Sequence, residues 1–419
     1  CEVQRKTSSR DCTLEHLMSG RKTAWAIATG LTMLACHEIV SAAEKDYVRD
    51  LQTQAIETGK ADWGRWGSHT DKYSSWVSHS NRLVPIYSFG MGLESVSGDN
   101  SPYRSVEKLR RLFGKVPTGT VNPEAEYFDQ TNVYSLQKAA VASGKKRIVL
   151  FVFDGMDWQT TLAAAIYNAG AVKYLAGRGS GLAFQDYTMT QTDFGYFVST
   201  PHNDGTKKNV NLQTVENPGG TKPSGYSSRI GGRYPWSEPL DPLYPIGLGR
   251  DFRHVYTDSS SSATSLCSGV KTYNGAVNVD PEGKHVEPLA RQLQRDGFPI
   301  GLVTSVPISH ATPACGYANN VSRSDYQDLT RDLLGLKSIS HPQEPLPGVD
   351  VLLGAGWGED RLIDTGQGSN FNPGKTAENR YLAADDLKAI QSQKQRRWTT
   401  VLRESGKNGE VALVKAAQE

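Results

Sequence analysis

Residues Lys145 to Gly170 read KKRIVLFVFDGMDWQTTLAAAIYNAG, and the reading of this stretch decides the fold class. Arg147 to Phe153 is an unbroken β-branched and aromatic run, the pattern of a strand covered on both faces. Asp154-Gly155 ends it. From Trp158 to Asn168 an alanine-rich helical pattern follows, and Gly170 closes it. Strand, loop and helix in that order make one β-α unit, and two more lie downstream. FPIGLVTS, Phe298 to Ser305, reads as a strand ending near Pro307, after which Thr312 is expected to cap a helix with Pro313 at its first position. VDVLLGAG, Val349 to Gly356, is a further buried strand with a glycine-rich exit. The expected fold is α/β: a mainly parallel central sheet with helices on both faces.

The rest of the chain is less regular. At 419 residues it can bury a substantial core. Lys+Arg 46 against Asp+Glu 44 leaves a formal net charge of +2, so no global field draws it to nucleic acid or anionic lipid. No run approaches the length of a membrane span. Residues 1–17 form a polar, patternless upstream segment. Met18 to Ala43 reads as a signal peptide: Arg21 and Lys22 give a basic start, Ala24 to Cys36 a short apolar stretch, and Ser41-Ala42-Ala43 a small-residue cleavage site. The expected product is therefore exported, periplasmic or secreted. Cleavage there would leave Cys267 and Cys315, which are expected to be two separate buried thiols rather than a disulfide. Residues 44–143 carry no nameable motif. Residues 144–419 hold the β-α units, interrupted at about 185–250 by a Gly/Pro/Ser-rich insertion expected to run over the surface as a lid or as plain elaboration.

Ligands of an open α/β sheet bind at the carboxyl ends of its strands. That rule gives three polar groups one address: Asp154 after the first strand, Asp258-Ser259 after a short strand around His254 to Tyr256, and Thr312 after a third. Read alone, Asp154-Gly155 is a turn and Asp258 a helix cap. The stretch VYTDSSSSATSLCSGVK, Val255 to Lys271, puts Ser259 at a helix start, where backbone N–H groups and the helix dipole favour an anion such as phosphate. A serine hydroxyl needs a base or a cation to become a nucleophile. Carboxylates at Asp154 and Asp258 with an oxygen at Thr312 suit hard divalent cations.

Three segments then resemble the alkaline phosphatase family. FVFDGMD is similar to its first metal motif, TDSSSSAT to its nucleophile motif, and SHATPACGYANNVSR to its His-Ala-Thr-Pro segment with a following arginine; VDVLLGAG resembles its glycine-rich strand. The resemblance implies hydrolysis of phosphate monoesters through a covalent phosphoserine, two zinc ions, one magnesium ion, and a fold incomplete at its carboxyl end. It implies Asp154 as a ligand bridging magnesium and one zinc, Ser259 as attacking group and ligand of that zinc, and Thr312 in the magnesium shell. Arg323 would grip the phosphoryl oxygens, with Asp258 and His310 behind the ligands. It is compatible with a homodimer. Relatives acting on diesters or sulfate esters, and an exported phosphate-binding protein without catalysis, are the other readings. Two departures stand against the pattern. Asp157 replaces a common glycine, which suits a helix cap. The family's later Glu, Asp-x-x-x-His, Asp-His and final His have no counterpart in this sequence.

Overall fold

A computed structural model describes residues 53–54, 57–58, 81–201, 205–220, 223–241, 244, 255–358, 366–372, 380–392, 398–402 and 409–418. The chain divides into two units, Cys1–Ser75 and Trp76–Glu419, and the second holds the sheets and the buried cores. The expected signal peptide, Cys1, Cys12, Cys36 and His254 lie outside the described residues.

A three-stranded sheet is built mostly from residues with no motif. β1 (Leu83–Phe89) runs antiparallel to β3 (Thr192–Val198), from Leu83 opposite Val198 to Phe89 opposite Thr192. The short β2 (Phe128–Asp129) lies parallel on the other side of β3. Alternation along β3 sends Tyr196 and Val198 to one core, with Leu83, Tyr103, Leu109, Phe113, Tyr127, Tyr226 and Tyr244. Phe197 goes to another, with Leu93, Phe128, Val133, Leu136 and Leu266. The segment expected to lie on the surface thus supplies a central strand and two buried tyrosines. Its Gly/Pro-rich composition hides the short apolar run of β3, Phe194 to Val198, among turn residues. It also carries a hairpin, β4 (Lys207–Asn209) with β5 (Thr214–Glu216).

Leu266 belongs to the serine helix, Ser259–Ser268, which packs along the helix Gln130–Ala142. Asp258 starts the serine helix, and Gly269 ends it at φ 73, a left-handed turn that only glycine adopts cheaply. Its other side enters a third core with Val277, Ile300, Ala314, Tyr317, Leu329, Leu333 and Val349. Cys267 and Cys315 are both free rather than disulfide-bonded, as expected, but only Cys315 is buried and Cys267 is half-buried.

β6 (Gly301–Pro307) and β7 (Val351–Ala355) pair in parallel, Gly301 opposite Val351 and Val303 opposite Leu353. Two expectations are corrected here. Arg147 to Phe153 forms no strand, and Val149 and Phe151 are 70% and 77% exposed. Val303, 74% exposed, shows that the β6–β7 pair is also uncovered on one side. The physical reason is shared. A strand exists only where a neighbour takes its backbone hydrogen bonds, and none of the described residues pairs with 147–153. The central parallel sheet is therefore reduced, among the described residues, to one pair of strands in a mixed α/β chain. Val255 and Tyr256 are not in a strand either. The helix after Asp154 does form, at Trp158–Ala169, with Asp157 as its cap accepting from Thr160 N and Gly170 as its stop. After β6 the cap is His310 rather than Thr312, for the short helix begins at Ala311.

Candidate functional site

Four consecutive serines open the serine helix, and their surroundings separate them. Ser260 is fully buried and donates to the carbonyl of Ala276. Ser261 closes the helix cap: its backbone N–H donates to Asp258 Oδ1 at 2.8 Å, while its hydroxyl lies 2.9 Å from that same oxygen and 3.1 Å from Asn274 Oδ1. Ser262 accepts from Gln130 Nε2 at 3.3 Å. Ser259, half-buried, is held among the described residues by a cation: Arg323 Nη1 donates to its Oγ at 2.8 Å. The same nitrogen lies 3.1 Å from Asp258 Oδ2.

Two devices hold this geometry. Asp258, buried, spends one carboxylate oxygen on the helix cap and the other on Arg323, so cap formation and guanidinium placement are one event. Asn274 takes the Asp258 backbone N–H at 3.1 Å and donates to Tyr256 O at 2.9 Å, clamping the approach to the helix. Arg323 is anchored through its backbone N–H, which donates to Gly275 O at 2.7 Å. Asn274 and Gly275 carry no functional signal in the sequence, because Asn-Gly reads as an ordinary turn.

The second cluster lies on the short helix Ala311–Ala314, which packs against the serine helix through Cys315, whose Sγ is 3.4 Å from Ser260 O. Thr312 Oγ1 donates to Asp154 Oδ2 at 2.9 Å, across 158 positions of sequence. The two oxygen donors expected to share a hard cation are thus neighbours. Asp154 and Ser259, expected to share a zinc ion, have no hydrogen bond to each other. His310 turns elsewhere, stacking on Tyr326 at 5.7 Å between ring centres, with Nε2 3.2 Å from Tyr381 Oη. Cys315 is no competitor as a nucleophile, since burial pushes its thiol up to about 12.

The donor set bears directly on the implied metals. No group of three His, Cys, Asp or Glu side chains that could hold a metal ion occurs among the described residues. A tight zinc site takes at least three such ligands. The described residues therefore do not fit a two-zinc centre, and Asp154 with Thr312 supplies only a pair of hard oxygens.

Comparison with known proteins adds an independent line. Residues 249–401, a little over a third of the chain, match the family model for alkaline phosphatase. Alkaline phosphatase 4 of Bacillus subtilis (strain 168) is 36% identical over 120 residues, covering 29% of this chain and 23% of its own length. The tissue-nonspecific isozyme of Gallus gallus is 32% identical over 114 residues, 24% of this chain and 22% of that one. A solved cold-active alkaline phosphatase from Shewanella sp. is 31% identical, with a TM-score of 0.21, over 25% of this chain and 24% of the other. The chain spans about a quarter of the length of these relatives. Residues 249–401, which contain Ser259, Thr312 and Arg323, are thus the part of the chain that resembles alkaline phosphatases.

Proposed function

We infer that this chain carries the phosphoryl-accepting part of a phosphomonoesterase, with Ser259 as the attacking group. One observation carries the reading: of four adjacent serines, Ser259 alone meets a guanidinium, while the others are tied into the cap and the core. The first turn of the serine helix presents backbone N–H groups and a positive dipole end to an anion. Arg323 beside Ser259 Oγ stabilises the alkoxide and offers its remaining N–H groups to the phosphoryl oxygens.

In the reaction, Ser259 Oγ forms a bond to phosphorus as the ester P–O bond breaks. The serine proton goes to solvent and the leaving alkoxide takes one from water. A water then attacks the phosphoserine, releasing inorganic phosphate and restoring the hydroxyl. Arg323 and the helix amides hold the charge that spreads over the transferring group. No step is routed through zinc, because the described residues do not assemble its ligands. The Asp154–Thr312 pair supports a hard cation such as magnesium, and the two zinc ions remain an implication of the family resemblance.

The test is phosphate affinity. Arg323→Ala is expected to weaken inorganic phosphate binding by roughly 1.5 to 3 kcal/mol, the scale of hydrogen bonds to charged groups. Unchanged affinity would remove Arg323 from the site. Export belongs to the same reading, supported by Met18 to Ala43. Secreted material should begin at Glu44, and a cytosolic product retaining Met18 would contradict it.

A further inference from the structure

The hairpin β4–β5 lies in the segment with the least informative sequence, yet it is tied down at several points. Gln213 at its turn accepts from Val321 N at 3.1 Å and Ser340 Oγ at 3.0 Å. Asn217 donates to Pro281 O at 3.1 Å. Val215 packs on Tyr273, Ala276 and Val279. The hairpin is therefore docked on the loop that follows the serine helix.

Its register orients two adjacent lysines oppositely. Lys207 stands opposite Glu216 and pairs with it at 3.8 Å, both well exposed. Lys208 stands opposite Val215, hence on the face turned toward the loop. Its ammonium reaches Gly275, where an added Cβ would lie only 2.5 Å from Nζ. Gly275 has φ +92, so its lack of a side chain is fixed by the backbone as well as by the lysine. Gly275 is also the residue whose carbonyl anchors Arg323.

We propose that Lys208 is a second cationic contact for the phosphate group at Ser259, selecting a dianionic monoester over a monoanionic diester. The proposal rests on the phosphomonoesterase reading and names its substrate class. Lys208 Nζ lies at Gly275, whose carbonyl takes the Arg323 backbone N–H, and the Asp258 oxygens beside Arg323 are already committed to Ser261 and Arg323. Although the residue as a whole is exposed along β4, desolvation at the ammonium lowers the Lys208 pKa, the Asp258 charge raises it and the Arg323 charge lowers it again. Like charges held close repel until an anion lies between them, and a dianion satisfies two cations where a monoanion satisfies one.

The experiment titrates the full 419-residue chain with inorganic phosphate, and separately with dimethyl phosphate, at pH 8, where inorganic phosphate is mainly a dianion. Lys208→Gln is expected to weaken phosphate binding about tenfold and to narrow the preference over dimethyl phosphate. Lys208→Arg should restore most of the affinity, and Lys207→Gln should leave it unchanged. Arg323→Ala is the control for the underlying reading. If Arg323→Ala weakens binding and Lys208→Gln does not, the proposal is overturned and the phosphomonoesterase reading stands. If Lys208→Gln weakens both ligands equally, the selectivity is overturned. If phosphate binds no tighter to the wild-type chain than to Arg323→Ala, the reading itself fails and the proposal with it.

Discussion

Ser261 and Ser259 are chemically identical and two positions apart, and only their neighbours give them different roles. Ser261 completes the cap with Asp258, so its loss costs stability, whereas the Ser259 hydroxyl takes its side-chain hydrogen bond, among the described residues, from Arg323. The sequence could place Asp258 as a cap because capping is local. It could not show that Asp258 also holds Arg323, which comes from 65 positions away. Other residues respond to pH in ways no local pattern reveals. Burial first, and then the Asp328 charge, push the Asp325 carboxyl from 3.8 up to about 7. Its contribution to stability is complete below about pH 4 and is lost as pH rises through 7. His285 is pushed down from 6.5 to about 4, by burial first and then by His341. Its contribution is present above about pH 6.5 and is lost as pH falls through 4. The two slopes oppose each other between pH 4 and 7. Asp325→Asn should therefore make unfolding midpoints rise with pH more steeply than in the wild type, measured by urea titration at several pH values. An unchanged slope would refute the raised carboxyl.

Among the elements, the serine helix is held by a region whose sequence carries no motif. Lys271, just past its end, is buried with Asp129 at 3.0 Å, and its ammonium also donates to Gln130 Oε1 at 2.7 Å and Thr200 O at 2.9 Å. Asp129 in turn caps the helix Gln130–Ala142 and accepts from Tyr103 Oη at 2.9 Å. One buried ion pair thus joins β2, the end of β3 and the exit of the serine helix. Removing one partner leaves the other charged and dry. Lys271→Met is expected to cost about 3 to 5 kcal/mol in urea unfolding, and Lys271→Met with Asp129→Asn should cost less than the single change. A single-variant cost below about 1 kcal/mol would mean that the pair is not the tie. Helix starts and stops are readable in this chain, as at Asp157, Gly170 and Asp258, because each is decided within a few residues. Strands are not. Arg147 to Phe153 has every local mark of one and forms none, since pairing is decided by a distant partner. β3 and the Lys271–Asp129 tie are hidden for the same reason.

On the scale of the molecule, two buried cores flank the serine helix while several apolar side chains stay in water. Val149, Phe151, Val303 and Val351 are all exposed, and they come from the segments whose sequences read as interior strands. The sequence reports their hydrophobicity correctly and cannot report what lies over them. Such surface favours association. The 419-residue chain should bind an apolar dye and self-associate with rising concentration in sedimentation. Val149→Lys with Phe151→Lys should reduce both without lowering the unfolding midpoint. Undiminished association in that double variant would place the adhesive surface elsewhere.

The central claim is that Ser259 accepts the phosphoryl group. Its most direct test is acid-quenched turnover of a phosphate monoester by the native protein, followed by mass spectrometry of the peptide containing Val255 to Lys271. The account predicts one phosphate on Ser259, lost in Ser259→Ala and retained in Ser261→Ala. Phosphate on Ser260, Ser261 or Ser262, or turnover without any label on this peptide, would contradict it.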